Sequence, residues 1–317
     1  MTLTTGSLTL GTATLGNLLG AMSDAEAQAV LETAWECGIR SFDTAPHYGL
    51  GLAEERLGRF LRGMQPGSVR VSTKVGRLLR PNPGGPPRDP DLFDVPGDLT
   101  RVMDFSETGV RASLADSLDR MGIDRVDTLY LHDPEKAPDA ESACDTGLSA
   151  LAALRSERMV TRIGVGSMDE GALLAAGERE ETDELMVAGR HTLVDHTATV
   201  RLLPLCRERG VAVAATAVYN SGLLATPRPS GTFDYAVAPP DVVARAQRLA
   251  DVCEAHGTDL PTAALHYAAL DPVVTSVVFG ARTPAQVREN VERAASTPDP
   301  ALWDTLAAEG LVPEVVR

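Results

Sequence analysis

The sequence predicts an α/β fold, a (β/α)8 TIM barrel forming a single domain with long loops at its C-terminal face. Three observations lead there. Short β-branched runs alternate with Ala/Leu/Glu/Arg-rich helical stretches along the chain, the signature of repeated βα units around a parallel sheet. Eight such strand signals occur, each followed by helix, which points to closure more than to an open sheet. The length, 317 residues, exceeds an ordinary domain of about 100–200 but suits such a barrel as one unit over 1–317.

Strands are expected at 8–15, 40–44, 69–73, 126–131, 161–165, 185–188, 211–217 and 274–279. Helices are expected at 24–37, 53–61, 108–120, 147–155, 171–176 and 199–209, then at 242–256, 262–270 and 284–294. Punctuation supports them. Ser23 followed by Glu26 reads as a capping box, Gly38 as a helix stop, and Thr283-Pro284 as a cap with proline in the first turn. Two Pro/Gly-rich segments, 76–105 and 220–240, break the rhythm. Both follow strands, on the face where barrels carry their sites, so they are expected to be substrate lids.

Composition narrows the function classes. An apolar fraction of 44% supports a large core, and a formal charge of −15 argues against a nucleic-acid partner. Cys37, Cys144, Cys206 and Cys253 lie far apart without a C-x-x-C pair, which fits reduced, mostly buried thiols and no zinc site. Residues 1–9 lack the basic start and apolar run of a signal peptide, and no window is apolar enough to span a membrane. The expectation is a soluble, cytoplasmic protein acting on a small molecule.

Three strand ends carry chemistry: Asp43 with Pro46-His47-Tyr48-Gly49 after the second, Lys74 at the third, and His132-Asp133-Pro134 at the fourth. A barrel gathers strand ends into one bowl, so Asp43, Tyr48, Lys74 and His132 can converge although distant in sequence. A free tyrosine, with pKa about 10, is a poor proton exchanger near neutrality. A neighbouring ammonium favours the phenolate, so Lys74 is expected to lower the pKa of Tyr48. Asp43 would keep that lysine charged, and His132 would orient a carbonyl or alcohol oxygen. Singly, these are a loop aromatic, a snorkelling lysine and a core histidine; together they suit the interconversion of alcohol and carbonyl. The hydride must come from a cofactor.

The set Asp43/Tyr48/Lys74/His132, in this order, resembles the tetrad of the aldo-keto reductase superfamily. The resemblance runs from Gly11-Thr12-Ala13-Thr14-Leu15-Gly16 to Gly280-Ala281-Arg282 and Asn290. Ser72-Thr73-Lys74-Val75-Gly76-Arg77, Asp104-Phe105-Ser106, Tyr130-Leu131-His132-Asp133-Pro134 and Asn220-Ser221-Gly222-Leu223-Leu224 are similar to the sugar-dehydrogenase branch. That branch holds D-threo-aldose 1-dehydrogenases, also called L-fucose dehydrogenases, with relatives acting on L-galactose, D-arabinose or pyridoxal. The resemblance implies an NAD(P)-dependent oxidoreductase that oxidises an aldose at C1 to a lactone, with Tyr48 as general acid/base.

It further implies a cofactor site of Ser167, Thr216, Asn220, Gly222, Gly280, Arg282, Gln286, Glu289 and Asn290, where a helix N-terminus favours phosphate. Gly280 and Gln286 stand where NADP-specific relatives carry cations, so NAD is expected to be accepted, with Arg282 a partial substitute. Thr216 replaces a tyrosine that commonly stacks on nicotinamide. Leu18, His47, Tyr48, His132 and His191 are the expected substrate contacts, with Leu19 and Trp303 as further pocket candidates. No metal is implied: His191 and His196 lack the spacing of a zinc helix, and Gly49-Leu50-Gly51-Leu52-Ala53-Glu54 breaks the dinucleotide glycine fingerprint at its sixth position. A monomer or weak homo-oligomer is the expected state. Alternatives are an NADPH-dependent aldehyde or ketone reductase of secondary metabolism, and a barrel that binds cofactor without turnover.

Overall fold

The computed structural model describes residues 3–229 and 231–314. The two ends of the domain expected over 1–317, including Met1 and Thr2 of the N-terminal stretch, lie outside it, as does Ser230 of the second long loop. The parallel strands are β1 (Leu8–Gly11), β2 (Ser41–Asp43), β3 (Arg70–Val75), β4 (Val126–His132), β5 (Val160–Ser167), β6 (Glu184–Ala188), β7 (Ala212–Thr216) and β8 (Val274–Gly280). They close in sequence order, with Gly11 of β1 in register with Asp43 of β2 on one side and Gly280 of β8 on the other. The expected barrel is therefore present.

The helices are α1 (Asp24–Glu36), α2 (Leu52–Leu61), α3 (Glu107–Met121), α4 (Ala140–Ser156), α5 (Glu170–Gly177), α6 (Thr197–Val200), α7 (Leu202–Arg209), α8 (Pro240–Ala255), α9 (Leu260–Ala268), α10 (Pro284–Ala295) and α11 (Pro300–Ala308). The Ser23–Glu26 capping box forms reciprocally, and Thr283 caps α10 through the Gln286 amide at 3.2 Å. Gly38 turns the chain out of α1 with φ +89°. The main core, with Leu10, Phe42, Leu129, Ile163 and Val213, fills the shell between strands and helices. Inside the barrel, Tyr130, Met186, Ala214 and Val278 form a separate layer beneath the mouth.

Several element boundaries differ from expectation. The first strand stops at Gly11 instead of 15; Thr12 N–H bonds to Asp43 O at 2.9 Å and the chain then tightens into a 3-10 turn, Ala13–Gly16. The helix expected at 199–209 breaks at Arg201, because Pro204 has no N–H to offer the carbonyl four residues back. Helix α4 begins earlier than 147, capped by Asp139, and α11 is additional.

Segment 76–105 is more ordered than a proline-rich loop suggests. Arg77–Pro81 pairs antiparallel with Leu99–Met103, and Pro81 is tolerated at the strand terminus of this isolated hairpin. Beneath it Leu50, Leu79, Phe93 and Val95 form a small core against Leu18 and Tyr48. Segment 220–240 holds a 3-10 turn, Asn220–Gly222, and a short hairpin of Thr232–Phe233 with Ala236–Val237. No helix among the described residues is long and apolar enough to cross a membrane. The described cysteines are free; Cys144, Cys206 and Cys253 are buried and Cys37 is half-buried.

Candidate active site

Neighbouring strand ends place Asp43, Lys74 and His132 around one side of the mouth. Register sets Asp43 beside Ser72, Lys74 beside Tyr130 and His132 beside Gly166. Lys74 Nζ donates to Asp43 Oδ2 at 2.7 Å and to the Thr44 carbonyl at 2.9 Å. The Ser72 hydroxyl donates to Asp43 Oδ1 at 2.8 Å, so both carboxylate oxygens are held. The ammonium lies 4.7 Å from the centroid of the Tyr48 ring.

Tyr48 is fixed by backbone packing. It sits in the turn between β2 and α2, where Gly49 has φ +64°. A Cβ on Gly49 would meet Gly16 O at 2.3 Å, and one on Gly16 would meet the Tyr48 carbonyl carbon at 2.6 Å. Only glycine at both positions lets the two loops touch, and that contact sets the height of the phenol above Lys74.

The electrostatics correct one expectation. Burial pushes Tyr48 up to about 12; Lys74 pulls it down, but Asp43 pushes it up again. The ammonium therefore moderates a rise and does not produce a net fall in the free protein. Tyr48 keeps part of its surface open to the groove, where water reduces the cost of charge. Burial also opposes the charge on Lys74, yet Asp43 and Tyr48 outweigh it and hold the amine above its usual value. The lysine stays a cation.

His132 stands edge-on to Tyr48, ring centroids 6.1 Å apart at 86°. Burial, then Arg77 and Lys74, hold it well below the ordinary histidine value, so its ring is neutral. Among the described residues His132 Nδ1 has no hydrogen-bond partner, and Nε2 lies 3.9 Å from Asp133 Oδ2. Asp133 adopts φ +49° and is gripped by Arg77 and by Lys136 at 3.1 Å. His47 packs 5.4 Å from His132 and 5.2 Å from Phe93, and burial followed by Arg77 and Arg101 pushes it down to about 2.

From Asp43 and Tyr48 a groove of about 300 Å³ leads to the start of α10. Leu18, Leu19, Thr216, Gly222, Gly280, Arg282 and Gln286 line it as expected. Other expected contacts do not. Ser167 is buried and accepts the Asp169 amide at 2.9 Å; Asn220 is buried with Nδ2 turned to Gly189 O at 3.4 Å. Glu289 faces solvent near Arg293, and Asn290 is taken by the Tyr219 hydroxyl and the Gln286 carbonyl. His191 is buried against Tyr267, with ring centroids 5.3 Å apart, away from the groove. Trp303 lies on the other side of that tyrosine, in the core under α8, α9 and α11.

Arg282 lines the groove and is also engaged within the protein. Its guanidinium donates to the carbonyls of Leu18 at 2.6 Å and of Gly20 and Ala21 at 3.2 Å, strapping the β1–α1 loop to the last strand. Sequence reasoning missed Phe93, Arg101, Tyr219 and Tyr235. Tyr219 and Tyr235 line the groove; Arg101 donates to His47 O at 3.0 Å and grips Asp89. Their only sequence signal was membership of, or nearness to, the two long loops.

Part of the groove wall is small-sided: Gly11, Ala13, Gly222 with φ +101°, Ala225, Gly280 and Ala281. Such a slot admits a flat, extended molecule to the Tyr48 end, and the unpaired Oδ1 of Asn220 lies buried nearby. A nicotinamide dinucleotide fits it. Fold and site together define the class: a (β/α)8 oxidoreductase using a nicotinamide cofactor on a small molecule. More particularly, the model of the Aldo/keto reductase family matches residues 7–306, and the chain belongs to that family. It is 46% identical to a D-threo-aldose 1-dehydrogenase of Pseudomonas sp., over 97% of this chain and 94% of the relative. It is 37% identical to a pyridoxal 4-dehydrogenase of Microbacterium luteolum, over 98% and 95% respectively. A solved aldo-keto reductase of Bacillus halodurans, in its holo form, shares the fold at a TM-score of 0.76 and 24% identity, covering 98% of this chain and 93% of that one.

Proposed function

We propose that the protein oxidises the anomeric carbon of an aldose such as L-fucose, L-galactose or D-arabinose to a lactone, with NAD the better acceptor. One observation carries the reading: a lysine held charged by Asp43 lies under the ring of Tyr48, with neutral His132 beside it. The similarity to an aldose 1-dehydrogenase over nearly the whole chain supports the substrate class. Bound nicotinamide supplies the hydride acceptor. Tyr48 takes the hydroxyl proton, Lys74 stabilises the phenolate this demands, and His132 donates a hydrogen bond to the substrate oxygen. Cytoplasmic residence and a monomer or weak homo-oligomer remain part of this reading, the former supported by the free thiols.

The preference for NAD rests on Arg282, the one cation among the described residues lining the groove, whose guanidinium is already spent on three carbonyls. Among the described residues lining the groove, no cation is left free for a 2′-phosphate. Gln286→Arg supplies one, and is expected to move the NADP/NAD ratio of kcat/KM at least about tenfold toward NADP.

The raised value of Tyr48 favours a second reading, in which the protonated phenol serves as acid and the protein reduces aldehydes or ketones. Initial rates separate the two: the three sugars with NAD or NADP, against an aldehyde panel with reduced cofactor. Turnover of aldehydes alone overturns the aldose reading. In either direction Tyr48→Phe abolishes turnover.

A further inference from the structure

The hairpin in the second long loop carries an unexpected residue at its tip. Thr232 pairs with Val237 and Phe233 with Ala236, leaving Asp234-Tyr235 as a two-residue turn. Both turn residues are left-handed, with φ +47° and +63°. That is the geometry of a type I′ turn, whose second position favours glycine because a Cβ crowds the backbone there. Aspartate suits the first position, but a bulky tyrosine at the second is an outlier. A residue kept where its backbone is disfavoured points to a use for its side chain.

The side chain has a place to act. Tyr235 lines the same groove as Tyr48, Leu18 and Leu19, and is near enough to Tyr48 to act on its charge. It remains 44% exposed, and Leu19, on the same groove, is 64% exposed. The tip is also tethered. Asp234 pairs with Arg190 at 2.9 Å, and Arg190 is anchored by Asp195 at 2.8 Å and by Met168 O at 3.0 Å. The Tyr235 amide donates to Ser221 Oγ at 3.0 Å. These bonds tie the hairpin to the loop after β6 and to the turn after β7, so the ring is presented by a fixed support.

We propose that Tyr235 is a substrate-positioning residue whose ring roofs the reacting end of the groove and packs on the C–H face of the aldose, with Leu18 and Leu19 lining the same groove. One face of a sugar ring presents C–H groups while its hydroxyls point outward, so an aromatic plane can hold the ring without spending its hydrogen bonds. The inference rests on the aldose reading. It assigns Tyr235 to the sugar and leaves the dinucleotide to the rest of the groove.

The test compares wild type with Tyr235→Phe, Tyr235→Gly and Tyr235→Asn, reading aldose KM, NADH affinity by fluorescence, and Tm. Glycine and asparagine both accept the left-handed turn, so Tm should equal or exceed wild type. Aldose KM should rise at least about fivefold in both, with NADH affinity within about twofold, while Tyr235→Phe stays near wild type. Unchanged KM in Tyr235→Gly and Tyr235→Asn overturns the assignment. So does NADH affinity falling in step with KM, which would make the hairpin a cofactor strap. A wild type inactive on every aldose overturns the aldose reading together with this one; an active wild type indifferent to Tyr235 overturns this one alone.

Discussion

At the scale of the residue, Tyr48 faces a conflict between burial and charge. Lys74 is placed to favour its phenolate, yet burial outweighs it and the value climbs to about 12. As a base Tyr48 works only when deprotonated, and below that value the deprotonated fraction grows about tenfold per pH unit. Oxidation should therefore climb in kcat/KM from pH 7 to pH 10 without a plateau, whereas reduction, served by the phenol, should stay flat there. Lys74 is held above its ordinary value, so it remains charged through most of this range. Removing it alone would strand buried Asp43, so the informative variant is Lys74→Met with Asp43→Asn. Oxidation in that variant should fall at least about tenfold at pH 9. An unchanged profile would show that the ammonium does not tune Tyr48.

At the scale of the element, the 77–103 hairpin is a folded part that Arg101, among other contacts, clasps to the barrel. Arg101 reaches both oxygens of buried Asp89, at 2.7 and 2.8 Å, and the carbonyl of His47. Arg101→Met leaves that carboxylate without its partner, a change that typically costs about 3–5 kcal/mol when fully buried. The hairpin can open to relieve it, so the expected signs are faster proteolysis within 82–98 and a severalfold higher KM, with a smaller effect on kcat. Equal proteolysis of variant and wild type would count against the clasp. This hairpin was hard to read from sequence because its prolines and glycines mark turns, while its strands gain stability from packing Leu79 and Phe93 on Leu18 and Tyr48. Asp43, Lys74 and His132 were legible for the opposite reason: they end strands, where register fixes their neighbours, and Tyr48 follows in the short turn after one of them. His191 and Glu289 had no such constraint. Loop and helix-surface side chains turn according to neighbours that sequence order does not reveal. The sign of the Tyr48 shift was hidden likewise, because burial is a property of the assembled mouth.

At the scale of the whole molecule, buried histidines set the response to acid. Burial pushes His191 and His196 down to about 4 and His47 to about 2, with His132 also well below normal. An unfolded chain takes up these protons near pH 6.5, earlier than the folded one. Their contribution to stability is thus complete above about pH 6.5 and is lost as pH falls toward 4 and below. Thermal melts between pH 8 and pH 4 should show that decline. Among the described residues neither ring nitrogen of His191 has a hydrogen-bond partner, so His191→Leu should raise Tm at pH 7 and flatten the acid limb. A steeper limb in that variant would mean that His191 is bonded in solution.

The proton-handling groups sit on or beside the staves of the barrel, while the 77–103 and 232–237 pieces form its rim. The rim meets the staves through discrete clasps, among them Arg101 to His47 O and Asp234 to Arg190. Parts joined in that way can be exchanged. A rim grafted from another barrel, brought in with its own clasps, would give this scaffold a new appetite while leaving its acid–base engine where the strands put it.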